Sequence, residues 1–403
     1  MFTQILQKIK SFKVSLGIFI AFIILYLVIL AIVGLNRPAW GDEAHFVQTV
    51  QQFGQGITLD VLRSYGEMST PFPFVMYALW GRLFGFSLPA LRTLSLAIAL
   101  ITAGLFWWLC YKIFREAFST SICTIFLFIN PYMIGFSIFV FPDMVTILCL
   151  VLGMLAMLDD RPVALCLACA FGLLSRQYFI FFPLAVFFYT LYNHFRRGGN
   201  PIKTITAIAL SVLPTLWLFW LWKGVSPQNN LGGIYLGYAF TFHPTALILY
   251  IILLGAYLSP LVLIRWRKYY LSPPIMVIAV IASLTYFVFP LKASTPSLNA
   301  GITTVGYLDR ALSAILGPYT KWAWYSLFLL SLPILIQIIH VWFKNLRQPG
   351  AEEWISLAIL LFLVIMPFSY LWWEKYFVLV LPLAILEIFR PAHPTKYRMP
   401  LIQ

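Results

Sequence analysis

The chain has 403 residues, 62% of them hydrophobic and only 10% charged, with a net charge of +14. Soluble domains carry about a quarter charged residues, so an ordinary globular protein is excluded. Repeated apolar runs near the roughly 20 residues of a bilayer crossing, without ten-residue alternation, exclude a membrane β-barrel and indicate an all-α polytopic membrane protein. The positive charge follows from the positive-inside bias of membrane topology, and no nucleic-acid partner is expected.

In chain order, the first apolar run (14–35) follows Lys8, Lys10 and Lys13. It is too long for a signal-peptide core and is expected to stay as an anchor. Next comes DEAHFVQTVQQF at 42–53. Phe46, Val47, Val50 and Phe53 share one stripe, and Asp42, His45, Gln48 and Gln52 another, which predicts an amphipathic helix ended by Gly54 and lying on the membrane surface. The stretch TPFPFVMYALWGRLFG (70–85) is apolar but short and carries two prolines, so it is expected to be an embedded juxtamembrane helix. Further apolar runs lie at 88–111, 119–138, 143–158, 163–175, 178–194, 204–222, 245–264, 272–290, 321–343, 354–373 and 375–390. With the first they make a bundle of about twelve spans in a single integral membrane domain over 1–403. All five cysteines lie in apolar runs, and the Cys166/Cys169 spacing is read as packing rather than as a redox or metal site.

With the N-terminus in the cytoplasm, 17 of the 27 Lys and Arg fall on its side of the membrane, among them the RWRK cluster at 265–268. The outer face then holds the long connections 36–87, 223–244 and 291–320. It also holds seven of the 13 carboxylates: Asp42, Glu43, Asp60, Glu67, Asp143, Asp309 and Glu374. Long loops carry function more often than short ones, so the chemistry is expected outside, facing the periplasm or exterior of a bacterial inner membrane. The stretch NNLGGIYLGYAFTFH (229–243) has the composition of a substrate lid.

Carboxylates at a helix start ordinarily satisfy free N–H groups and complement the dipole, and that reading applies to Asp42 and Glu43, as an N-cap does to Asp143. Against it, the pair sits where apolar chain meets water, a depth at which ionisable groups are costly and usually functional, with Glu67, Ser69 and Thr70 close by in sequence.

These residues resemble the first outer loop of polyprenyl-phosphate-sugar-dependent glycosyltransferases of the GT-C fold. That loop carries an acidic pair after helix one and then a Pro-containing embedded helix ending in Phe-Gly. The matching positions here are Asp42, Glu43, Thr70, Pro71, Tyr77, Phe84 and Gly85. The wording is nearest to the dolichyl-phosphate-glucose α-1,2-glucosyltransferase family, with DEAHF and STPFP for its DE-x-x-H and TTPP elements. Leu91–Arg92, FPD at 141–143, SRQ at 175–177 and the closing WEKYFVLVLP, with Lys375 where Arg is usual, follow in the family's order. Tyr178 and Phe179 depart from that family's pattern. Thr70 stands where related lipid A aminoarabinose and protein O-mannosyl transferases place a lysine.

The resemblance implies a GT-C-like bundle and an inverting transfer of a sugar from a polyprenyl-phosphate donor to a hydroxyl of a lipid, glycan or protein acceptor. Asp42 is the expected base, with Glu43 as its catalytic partner and Asp143 as a second acidic site. Arg176 and Lys375 are expected on the donor phosphate, with Arg92 and Arg310 as runners-up. His45, Thr70, Gln177 and Glu374 are candidate substrate contacts. His45, His243 and the carboxylates are spaced more loosely than metal ligands usually are; a divalent cation (Mg or Mn) is a candidate cofactor without a named ligand set. Membrane lipids are partners by class. The competing reading is a transporter or flippase of a lipid-linked glycan, but the related halves with matching broken helices common in transporters are not visible.

Overall fold

A computed structural model describes residues 2–227, 240–265, 272–347 and 353–390. Most of the expected lid at 229–243, most of the RWRK cluster and the basic residues beyond 390 lie outside the described residues. Those described form helices and connecting loops, and no strand is found among them. In hydrocarbon a backbone must satisfy its own N–H and C=O groups, and a helix does so within one segment.

Each apolar run is occupied by helix, but few of the helices are long. Among the described residues six are long and apolar enough to cross a membrane, or seven if one bent pair counts as a span. The expected twelve therefore include shorter apolar helices: Pro142–Leu158, Pro162–Leu173, Pro273–Val288 and Trp354–Phe368. At 1.5 Å per residue, 12 to 17 residues span less than the roughly 30 Å of a hydrocarbon core. Three of the four begin at a proline, which lacks the N–H to continue a preceding turn. The run 119–138 is the bent pair, turning 69° between Ala117–Phe128 and Pro131–Ile138. There Asn130 leaves the helical region ahead of Pro131 and caps the next helix by accepting from Tyr132 N.

The chain divides into two compact units, 1–183 with 190–236 and 184–189 with 237–403. The first opens with α1 (Phe2–Val33), α2 (Glu43–Gln55), α3 (Leu59–Ser64), α4 (Phe72–Phe84) and α5 (Leu88–Phe114). It continues with α6 (Ala117–Phe128), α7 (Pro131–Ile138), α8 (Pro142–Leu158), α9 (Pro162–Leu173), a 3₁₀ turn at Gln177–Ile180, α10 (Phe181–Arg197, shared with the second unit) and α11 (Ile202–Trp222). α8 packs on α5 and α9, α11 on α9, and α2 on α4. The buried α2 face keeps three of the four residues of the expected stripe, Phe46, Val50 and Phe53, with Thr49 in place of Val47, which is only partly buried. The helix does not stop at Gly54 but runs to Gln55 and ends at Gly56. Gly54 and Gly81 face the Phe86 ring so closely that a Cβ on either would sit 2.5–2.6 Å from it, so Gly54 serves packing rather than termination. At 13 residues α4 is too short to cross, and it ends at Gly85 with φ +94°, a conformation that favours glycine.

The second unit is built on α12 (Pro244–Arg265), α13 (Pro273–Ser283), α14 (Thr285–Val288), α15 (Thr295–Asn299), α16 (Tyr307–Leu316), α17 (Thr320–Arg347), α18 (Glu353–Ile365), α19 (Glu374–Phe377) and α20 (Leu381–Phe389). α12 and α17 cross where Gly255 meets Ser331, whose hydroxyl donates to Ile252 O at 3.1 Å. A small residue at the crossing lets the backbones approach, as is common between membrane helices.

Candidate functional site

The acidic pair divides into two different environments. Glu43 and Arg92 are both fully buried. Arg92 Nε donates to Glu43 Oε1 at 2.9 Å and Nη2 to Glu43 Oε2 at 2.6 Å. Its other donors go to backbone: Nη1 to Leu35 O (2.7 Å) and Arg37 O (2.6 Å), and Nη2 to Pro38 O (3.2 Å). A guanidinium has five N–H groups, and all five are used. Glu43 also accepts from Trp40 N at 3.1 Å and Val140 N at 3.0 Å. A buried ion pair is stable only when its remaining hydrogen-bonding capacity is met in this way. The clamp joins the end of α1, the start of α2, α5 and the turn before α8. It also accounts for a charged residue inside the apolar run of α5.

Asp42, one residue earlier, is 44% exposed at its side chain. It occupies the N-cap position of α2 but makes no capping bond with its side chain, so of the ordinary helix-start explanation only the complement to the dipole applies to it. Its Oδ1 lies 3.7 Å from His45 Nε2. His45 Nδ1 lies 2.5 Å from Glu67 Oε1, and Glu67 is buried and also accepts from Thr49 Oγ1 at 3.4 Å. Partial burial disfavours the charged imidazole, but hydrogen bonds and attraction from Asp42 and Glu67 outweigh it and push the His45 pKa up to about 9. That shift favours the imidazolium near neutral pH, with Nδ1 donating to Glu67 and Nε2 facing Asp42 across 3.7 Å as an ion pair rather than a hydrogen bond. Neighbouring Tyr65 is buried, and burial together with the charge of Glu67 pushes its pKa up.

A third cluster forms where the strap before α4 meets the end of α9. Thr70 Oγ1 donates to Leu173 O at 2.9 Å, Phe72 N to Leu174 O at 2.9 Å, and Gln177 Nε2 to Met68 O (2.6 Å) and Val225 O (3.0 Å). Thr70 and Gln177, expected as substrate contacts, thus hold the strap in place. Beside them Arg176 Nη2 donates to Asp143 Oδ2 at 2.7 Å and Tyr178 Oη to Asp143 Oδ1 at 3.4 Å. Asp143 is not an N-cap. That position belongs to Phe141, and Asp143 stands buried in the first turn of α8. The segment 139–143 links this pair to the clamp, since Val140 N reaches Glu43 three residues before Asp143. Phe46, on α2, meets the Phe141 ring at 5.3 Å.

In the second unit, Glu374 is buried and accepts from Tyr257 Oη and from Leu308 N (2.9 Å). Lys375 Nζ lies 5.6 Å from the centre of the Tyr376 ring. Asp309 accepts from Val305 N and Trp324 Nε1, and Arg310 Nε donates to Thr304 Oγ1. Asp309 lines a cavity of about 610 Å³ with Lys292, Lys321, Trp322, Trp324 and Tyr325. The sequence singles out neither Lys292 nor Lys321, because nothing local in it groups residues 29 apart. Among the described residues no group of three or more His, Cys, Asp or Glu is arranged to hold a metal ion.

No protein-family model matches the chain. No curated protein matches it either. Among solved structures, the chain is similar to the crystal structure of ArnT from Cupriavidus metallidurans in the apo state. The two share 15% identity over 93% of this chain and 78% of that one, with a TM-score of 0.41. It is also similar to the same protein bound to undecaprenyl phosphate, at 14% identity over 91% of this chain and 78% of that one, with a TM-score of 0.43.

Proposed function

We propose that the chain is an inverting GT-C-type glycosyltransferase moving a sugar from a polyprenyl-phosphate donor to an acceptor hydroxyl on the extracytoplasmic face of a bacterial inner membrane. The observation that carries this reading is the split of the acidic pair: Glu43 is consumed by a buried clamp while its neighbour Asp42 is presented, half-exposed and uncommitted to capping. Fixing one carboxylate to aim the next is how a rigid scaffold holds a reactive group in place. The motif order of the sequence supplies the substrate class.

In this reading the acceptor oxygen attacks the anomeric carbon, the bond from that carbon to phosphate oxygen breaks, and the hydroxyl proton passes to Asp42. General-base help of this kind is worth about 10²–10⁴ in rate. The lipid phosphate departs with its extra negative charge, and a nearby guanidinium lowers the barrier most where water is excluded. Arg176, held by Asp143, is assigned that task. Glu43 and Arg92 act as positioning residues.

Mass spectrometry of lipid-linked and surface glycans, from cells with and without the gene, tests the assignment. The reading predicts one glycan short by a single sugar residue when the gene is absent, restored by the wild-type chain and not by Asp42→Asn. Glycans of unchanged composition that accumulate on the wrong side of the membrane favour the transporter reading and contradict this one.

A further inference from the structure

We propose that His45 and Glu67 are positioning residues for Asp42: a buried carboxylate grips an imidazole whose far nitrogen faces the Asp42 carboxylate, making one acid–imidazole–acid strut. The inference rests on the reading of Asp42 as the acceptor base. Three observations place the strut. Asp42 and His45 are three residues apart at the start of α2, and therefore on one face. Glu67 is only 8% exposed at its side chain, and a buried carboxylate is costly unless paired; His45 at 2.5 Å is that partner. The strap carrying Glu67 is itself anchored, by Tyr65 Oη to Ser69 O at 2.6 Å and by Gln177 to Met68 O at 2.6 Å. The buried end of the strut is thus Glu67, and its exposed end is Asp42.

The charged surroundings of His45 can be followed element by element. Its own helix contributes Asp42, while Glu43 is turned into the Arg92 clamp. The strap contributes Glu67. α4, packed on α2, offers Phe74 against Phe46, and its Arg82 donates to Gly54 O near the opposite end of α2. The turn before α8 offers the Phe141 ring.

The arrangement fits the proton movement. Two carboxylates flank one imidazolium, so the cluster carries one net negative charge before transfer. When Asp42 takes the acceptor proton, the remaining imidazolium–carboxylate pair is neutral. Without Glu67, the same step would leave an uncompensated cation beside the departing proton.

The test uses the full-length protein, labelled with ¹⁵N-histidine and purified in detergent, with the imidazole shifts followed from pH 5.5 to 10.5. The chain has five histidines, so the His45 signal is assigned by its loss in His45→Gln. The proposal expects that signal to titrate near pH 9 and its midpoint to fall by at least half a unit in both Glu67→Gln and Asp42→Asn. Initial rates are then measured across the same pH range with polyprenyl-phosphate [¹⁴C]hexoses as probe donors. Glu67→Gln should lower kcat at least tenfold with KM within threefold, move the alkaline limb to lower pH, and be partly rescued by Glu67→Asp. A His45 signal titrating near 6.5, or one unmoved by Glu67→Gln together with unchanged kcat, overturns the strut alone. Wild-type protein that turns over none of the probe donors, while its His45 midpoint still follows Glu67, overturns the transferase reading and with it the base that the strut positions.

Discussion

Replacing Arg92 with methionine keeps most of the side-chain volume in α5 and removes all five of its hydrogen bonds. Glu43 then remains fully buried with only Trp40 N and Val140 N as donors, and the carbonyls of Leu35, Arg37 and Pro38 lose a cation. Removing one partner of a buried ion pair costs about 3–5 kcal/mol, because an uncompensated charge is left behind. At about 2–4 °C per kcal/mol for a unit of roughly two hundred residues, the unfolding midpoint should fall by roughly 6–20 °C. The assay is thermal unfolding in detergent, followed by tryptophan fluorescence, on Arg92→Met, Glu43→Leu and the double variant. Removing both charges replaces the pair with apolar volume, so the double variant should be more stable than Arg92→Met, with a coupling of about 2–3 kcal/mol. A single variant within about 2 °C of wild type, or a double variant that sums the two losses, refutes the clamp.

Other expectations follow from the same contacts. The raised His45 pKa makes its share of stability fully present below about 6.5 and lost as pH rises through about 9. Because the side chain is 51% exposed, that share is about 1 kcal/mol or less, and the alkaline slope should flatten in His45→Gln. Gly54→Ala drives a methyl into the Phe86 ring and should cost about 1–3 kcal/mol in thermal unfolding. In a Phe86→Ala background the same change should stabilise by up to about 1 kcal/mol, through helix propensity. Asp143→Asn leaves the buried Arg176 guanidinium without its carboxylate and should destabilise by about 3 kcal/mol or more, a loss eased by Arg176→Met in the same chain.

The helical class, the amphipathic α2 and the short, proline-containing α4 were legible in the sequence, because composition and period are local. The different surroundings of the two acids at 42–43 were not. Asp42 and Glu43 are adjacent acids, and only the arrival of Arg92, 49 residues on, separates a buried anchor from a presented carboxylate. A guanidinium in the middle of LPALRTLSLAIA was the available signal, since a charge in an apolar helix needs a partner. Glu67 was noticed as a neighbour in the loop, but its grip on His45 depends on the strap folding back over 22 residues. Arg176 and Asp143 were both expected to act, and the sequence could not reveal that they bind each other. Helix lengths were not legible, because hydropathy marks apolar runs, whereas prolines decide where each helix begins and how long it grows.

The central claim is that the half-exposed Asp42, rather than the buried Glu43, takes the acceptor proton. The most direct measurement is the single-turnover rate of purified protein with a polyprenyl-phosphate hexose that wild type accepts, comparing Asp42→Asn with wild type at equal thermal stability. A fall of about 10²-fold or more with unchanged donor binding is predicted. Turnover within a fewfold of wild type contradicts the assignment of Asp42 as the base.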